Sequence, residues 1–268
     1  MSGRKPSNKP GNKVTPTSTA LPARVMLFQP SQRPRFMEGN WFATTFGQCR
    51  VTGRLGQRHA DVMESILWAA EKSRNIDDGG IELLVDPAKV RRILSDKQYS
   101  HQRIRVFIKE LRAAVVEIIT PEMEEDDDPI IGGLLDRVRP SPMTRHDPLT
   151  GKSRKLWRVR LGDALVIMIE KDIKLYYKPE PITRLKHGVS QALVRHVLTH
   201  QSQPKGGWHL DTLLKAVCGE NVSSQNIRNG RRRIKEDAEL LLKIGITIDE
   251  NNRIKRFALD EWRATAAR

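Results

Sequence analysis

One fourteen-residue stretch, Val222-Ser-Ser-Gln-Asn-Ile-Arg-Asn-Gly-Arg-Arg-Arg-Ile-Lys235, constrains the fold more than any other part of the chain. Ile227 and Ile234 recur at helical spacing, and Ala238, Leu241 and Leu242 extend the same stripe. Ser223 or Ser224 can cap the helix, because a serine oxygen accepts from the free N–H groups of a first turn. Between the serines and Lys235, every residue off the stripe except Gly230 is Gln, Asn, Arg or Lys. Such a helix can bury one narrow side only, so it must lie at a surface, resting on other elements.

The neighbours supply those elements. Val189, Leu193, Val197 and Leu198 predict a helix from about Gly188 to His200. Trp208, Leu210, Leu213, Leu214 and Val217 predict a second, stopped by Gly219. After the polar helix ends at Gly245, Ile246–Ile248, the turn Asp249–Asn252 and Arg253–Phe257 predict a β-hairpin. Two helices, a surface helix and a two-stranded wing make a winged-helix DNA-binding domain. With Ile227 at 0° and about 100° per residue, Gln225, Asn229 and Arg232 fall near 160°, 200° and 140°, opposite the stripe. Arg228 and Arg233 flank them, whereas Arg231 lies near the stripe. Arginine can donate two hydrogen bonds to guanine, and Gln or Asn can pair with adenine. Ser223, Ser224 and the free N–H groups beside them can hold a phosphate. Arg253, Lys255 and Arg256 on the hairpin are expected to touch phosphates.

A weaker copy of this order lies upstream. Val62, Met63, Ile66, Leu67 and Ala70 define a helix over Gln57–Lys72, Asp77–Gly80 a turn and Ile81–Val85 a strand. Asp86-Pro87 is a helix start, running to about Leu94. Ser100 caps a longer helix whose stripe is Ile104, Phe107, Ile108 and Leu111. Ser100, His101, Gln102, Arg105 and Lys109 are its candidate DNA contacts, and Val115–Ile119 follows as a strand. Residues 120–155 break the pattern with six acids between Glu122 and Asp128 and recurrent Pro and Gly; they predict a long, mobile wing or an inter-strand insertion. Trp157–Leu161 and Ile173–Tyr177 alternate as strands. Ala164–Ile169 is apolar throughout and fits a buried helix or strand equally.

Net charge is +15. Its placement matters: residues 1–24 hold five Lys/Arg and no acid, residues 25–150 sum to −1, and residues 151–268 sum to +11. A field concentrated in one half favours a polyanion. Residues 1–24, rich in Ser, Pro, Thr and Lys, are expected to be a disordered basic tail. The longest apolar run, Ala164–Ile169, is too short to span a membrane, and no apolar core follows the basic start as in a secretory signal. The expected location is the bacterial cytoplasm, in association with DNA. Cys49 and Cys218 lack metal-ligand spacing and are expected to be free thiols.

Enzymatic chemistry finds little support. There is no Gly-x4-Gly-Lys-Ser/Thr loop, and no Ser/His/Asp or Cys/His arrangement stands out. Tyr176-Tyr177 has no His-x-His partner for nicking, and His196 and His200 lack a third metal ligand. No cofactor is expected. The sequence therefore predicts an α+β chain of two tandem winged-helix domains: the tail (1–24), a first domain over 25–180 with an acidic insertion at about 120–155, and a second DNA-binding domain over 181–268.

Three segments, in this order, carry a resemblance. They are Val51–Trp68, Leu156–Leu161 through Ile173–Tyr177, and Leu185–His200. On them the chain resembles the plasmid replication initiators with two winged-helix domains, the RepA/TrfA-like Rep proteins, over about residues 25–258. The resemblance implies binding as a monomer to direct repeats (iterons) at a plasmid origin. It also implies opening of A·T-rich duplex and recruitment of the host initiator and replicative helicase. Dimers through the first domain would repress the gene's own promoter or couple origins in copy control. The alternative is a winged-helix transcriptional repressor or partition regulator, dimeric on inverted repeats.

Overall fold

Strand alternation and helical stripes place most elements where the sequence predicts them. The computed structural model describes residues 14–94, 99–123, 128–146, 151 and 153–257. The chain begins with β1 (Ser18–Thr19) and α1 (Leu21–Arg24), then β2 (Met37–Glu38), β3 (Phe42–Thr44) and β4 (Gly47–Gly53). Helix α2 (Gln57–Trp68) precedes the hairpin of β5 (Ala70–Asn75) and β6 (Ile81–Val85). Next come α3 (Pro87–Leu94), α4 (His101–Ala113), β7 (Val115–Ile119), β8 (Ile130–Gly132), β9 (Leu135–His146), β10 (Ser153–Leu161), α5 (Asp163–Lys171) and β11 (Lys174–Leu175). The second half runs α6 (Glu180–Thr183), α7 (Gly188–Leu198), β12 (Trp208–His209), α8 (Leu210–Cys218), α9 (Ser224–Glu236), α10 (Ala238–Leu242), β13 (Ile246–Ile248) and β14 (Arg253–Arg256).

The result is a mixed α+β architecture with antiparallel sheets and two hydrophobic cores. One core draws on residues between Leu21 and Ile169, the other on residues between Tyr177 and Ile254. Each half contains the same three-stranded arrangement. In the first, β6 pairs with β10 and β10 with β9; in the second, β12 pairs with β14 and β14 with β13. In the first half α3 and α4 follow β6 and the β9–β10 hairpin completes the order; in the second α8, α9 and α10 follow β12 and the β13–β14 hairpin completes it. The first half adds β5 beside β6 and a separate sheet in the order β2-β4-β7-β8, with β3 also on β4.

Several expectations are corrected. Residues 14–24 are ordered and largely buried, because their small polar side chains find distant partners. Thr15 donates to the Leu67 carbonyl at 3.0 Å and Thr17 to the Tyr177 carbonyl at 2.8 Å; composition cannot reveal contacts 52 and 160 residues apart. The first domain's opening helix ends at Trp68 rather than Lys72, and Ala70 already belongs to β5. Within 120–155 the described residues form β8 and β9, and β9 pairs with β10 as a hairpin, so the segment contributes strands that its composition did not predict. Pro140 and Pro142 hid β9, but it is the edge strand of its sheet, where a missing N–H costs little. Part of the acidic run (124–127) and the turn at 147–150 lie outside the described residues, as do 1–13 and 258–268. Ile173–Tyr177 contributes only a two-residue strand, paired with β1. Trp208 is in a strand, opposite Ile254, rather than in the helix it was expected to open. Ala164–Ile169 resolves as helix α5.

The long polar helix breaks at Asp237. Its fully buried carboxylate accepts from the backbone N–H of Lys186 at 2.9 Å and of His187 at 3.1 Å, satisfying the start of α7. That inward pull ends α9 and turns α10, which leaves Ala238 and Leu242 exposed instead of in the stripe.

Asp86 shows how the first half is fastened. It caps α3, accepting from the Ala88 N–H at 2.9 Å, and receives both arms of Arg154 from β10 at 3.0 and 2.7 Å. Burial would raise its pKa, but Arg154 and the cap bond outweigh burial and hold it below the ordinary value. With a folded pKa below the unfolded value of about 3.9, its stabilisation is complete above that pH and is lost as pH falls through the folded pKa. Asp86→Ala should destabilise by about 2–3 kcal/mol at pH 7 through loss of the cap and the pair. In urea unfolding at pH 7 and pH 3, the gap between wild type and variant should narrow at the lower pH; a gap of constant size would contradict this role.

Candidate nucleic-acid interface

Helix α9 is the barest helix in the chain. Of its 13 residues only Gly230 and Ile234 are buried. Gly230 faces α8 closely: a Cβ there would stand 2.7 Å from Leu214 Cδ2, so a side chain at this position would make the buried Leu214 shift. Ser223 is the cap, accepting from the Asn226 N–H at 3.2 Å, and Ser224 is the first helical residue. Gln225, Arg228, Arg232 and Arg233 are exposed, and Asn229 is half-buried. The Gln225 amide donates to the Asn229 side-chain oxygen at 3.4 Å.

The arginine triplet divides as the helical period predicts. Arg231 turns toward α8 and forms a two-armed ion pair with Asp211, one arm at 2.6 Å. Arg232 points outward, 69% exposed, with only Glu236 near it at 3.6 Å. An exposed pair of this kind contributes little and yields readily to another anion. Among the described residues, no carboxylate pairs with Arg228 or Arg233.

Helix α4 repeats the plan. It also has 13 residues, and Ser100 caps it by accepting from the Arg103 N–H at 3.3 Å. The two caps have nearly the same backbone, φ −63°, ψ 157° at Ser100 and φ −65°, ψ 153° at Ser223. His101, Gln102, Arg105 and Lys109 are all exposed. Arg103, exposed beside them, was missed because it sits at the flank of the stripe; counting every cation outside the stripe would have found it. Behind the helix, His59 donates through Nε2 to Glu110 at 2.8 Å, tying α4 to α2. Burial lowers the His59 pKa, which suits a neutral ring accepting the Gly56 N–H at Nδ1.

The hairpins differ in what their cations do. On β14, Arg256 gives its guanidinium to the carbonyls of Val197 at 3.1 Å, His200 at 2.9 Å and Gln201 at 3.3 Å, and stacks near Trp208. It closes the end of α7 and is thereby withdrawn from the expected phosphate contact. Lys255 pairs with Asp249 at 3.1 Å, and Arg253 reaches the Gly207 carbonyl at 3.4 Å. On the β9–β10 hairpin, Arg137, Arg139, Arg145 and Lys155 are exposed. The adjacent acidic run masked this basic ribbon in the sequence.

Other candidates for chemistry resolve into structure. The Tyr177 hydroxyl is buried and donates to Glu64 at 2.6 Å. The Nε2 atoms of His196 and His200 lie 3.3 Å apart. Among the described residues, no group of three or more His, Cys, Asp or Glu is placed to hold a metal. Both cysteines are free; burial pushes the Cys49 thiol up to about 12 and raises that of Cys218. No helix among the described residues is long and apolar enough to cross a membrane.

No family model matches the chain, and no curated protein matches it. Among solved structures, the crystal structure of the RctB domains 2-3 is similar to it at 11% identity, over 85% of this chain and 91% of that chain, with a TM-score of 0.49.

Proposed function

We propose that the chain is a sequence-specific DNA-binding replication initiator built from two winged-helix units. The observation that carries this is the repeated plan: each half has a Ser-capped, 13-residue helix with a bare, basic outer face and three strands paired in the same order, β6-β10-β9 within a four-stranded sheet and β12-β14-β13. A bare helix with Arg, Gln and Asn on its outer face fits the major groove, and the hairpin beside it fits phosphate or the minor groove. Two such units in one chain can occupy one asymmetric site without a partner. The proposed site is a direct repeat at a plasmid origin, bound by a monomer. The host initiator and replicative helicase then supply the ATP-driven steps.

The readers are Gln225, Arg228, Asn229 and Arg232 on α9, and Gln102, Arg105 and Lys109 on α4 with His101 and Ser100 at its start. Ser223, Ser224, Arg233, Arg253 and Lys255 hold phosphates. Footprinting on DNA cloned from beside the gene tests the proposal: evenly spaced protection of direct repeats by a monomer is expected. Protection of inverted repeats by a dimer would make the protein a repressor or partition regulator instead. Salt titration adds a second check. Log affinity should fall linearly with log salt, and Arg233→Ala should reduce the slope by about 1 while weakening all sequences alike. A sequence-selective loss would make Arg233 a base reader rather than a phosphate contact.

A further inference from the structure

The densest set of buried charges in the chain is used by none of the DNA-facing groups. Helix α2, from the first core, is buried around nearly its whole circumference, acids included. Facing it is α7 from the second core. Arg195 of α7, 5% exposed, donates from Nε to Glu64 at 2.8 Å, from Nη1 to Gln57 at 2.8 Å, and from Nη2 to Asp61 at 2.6 Å and Glu64 at 2.8 Å. Tyr177, packed in the second core, donates to Glu64, while Gln191 of α7 donates to Asp61 at 3.0 Å. Apart from the Tyr99 hydroxyl, which donates to Asp61 within the first half, these bonds cross from one half to the other.

We infer that Arg195 is a positioning residue that locks the two halves into one rigid body and so fixes the distance between α4 and α9. The inference rests on the DNA-binding proposal only for its consequence. The geometry allows one arrangement well: a planar guanidinium engaging two carboxylates and an amide oxygen cannot slide by an ångström without losing bonds. Desolvated carboxylates left without a counter-charge would draw in water and part the helices. Other links join the halves, among them Arg24 donating to the Thr199 carbonyl at 3.2 Å and the Thr183 hydroxyl bonded to the Ile93 carbonyl at 3.0 Å. These tether the halves but orient them less sharply. A rigid pair of units binds only half-sites at one separation, whereas a tethered pair tolerates several.

The test uses the full chain carrying spin labels at Val106→Cys on α4 and Lys235→Cys on α9, with Cys218→Ser. Wild-type residue 195 should give one narrow distance by pulsed electron resonance. Arg195→Met should give a broad distribution with unchanged helical content, and Arg195→Lys an intermediate one. If Arg195→Met fails to fold, Arg195→Lys and Glu64→Gln take its place, and broadening is expected in both. An unchanged narrow distance in the variants that fold would overturn the lock. Selection from random duplexes is the second arm. The wild type should enrich two elements at one spacing, with about 100-fold loss when half a turn is inserted between them. Arg195→Met should lose under about tenfold, since a tethered unit still reaches its element. If the wild type enriches no sequence, the DNA-binding proposal falls while the label distances still decide the lock.

Discussion

Replacing Arg228 and Arg232 together with alanine is expected to reduce affinity for the selected DNA by roughly 2–6 kcal/mol, at about 1–3 kcal/mol for each base-reading arginine. The fold should be untouched. Both side chains are exposed, Arg232 has only a weak outward partner, and substitutions at such positions usually lie within about 0.5 kcal/mol in stability. Arg231→Ala makes the contrast: it removes an ion pair to Asp211 behind the helix, so it should loosen α9 on α8 with a smaller loss of DNA affinity. A gel-shift titration beside a thermal melt separates the two effects. Equal affinities for the double variant and the wild type would remove α9 from the interface.

The largest stability loss is expected at Asp61. Its side chain is fully buried and accepts from Arg195, Gln191 and the Tyr99 hydroxyl. Asp61→Ala removes an acceptor from three buried donors, although Arg195 keeps Glu64 and Gln191 keeps the Ile182 carbonyl, and should cost about 3–5 kcal/mol in denaturant unfolding. Tyr99→Phe removes one donor from the same carboxylate and should cost only about 1 kcal/mol. Comparable losses for the two variants would mean that Tyr99 packing, not the charge cluster, carries the stability. Arg195 itself stays charged: burial opposes its charge, but Glu64 and Asp61 hold its pKa well above the ordinary value. Burial pushes the Glu64 carboxyl up, against the pull of Arg195 and Tyr177. Two acids sharing one guanidinium leave the cluster one negative charge in excess if both are ionised.

The sequence by itself determined the local elements that follow from periodicity and caps. Strand β6, helices α3, α4, α7, α8 and α9, and the β13–β14 hairpin stand close to their predicted places, because stripes, Ser or Asp caps and Gly stops act within a few residues. It also sorted the arginine triplet, since helical angle alone decides that Arg232 faces out and Arg231 faces α8. Tertiary structure decided what depends on residues far apart in the chain. Asp61 and Glu64 lie off the apolar stripe predicted for α2, yet both are buried because Arg195 arrives from about 130 residues away. Arg256 read as a phosphate contact, yet the carbonyls at the end of α7 claim it. Pro-rich β9 became a strand only because it falls at a sheet edge, and the polar segment at 14–24 became ordered because Leu67 and Tyr177 offer carbonyls. Periodicity reports which side of an element is apolar; which polar groups are buried is set by partners that only folding brings within reach.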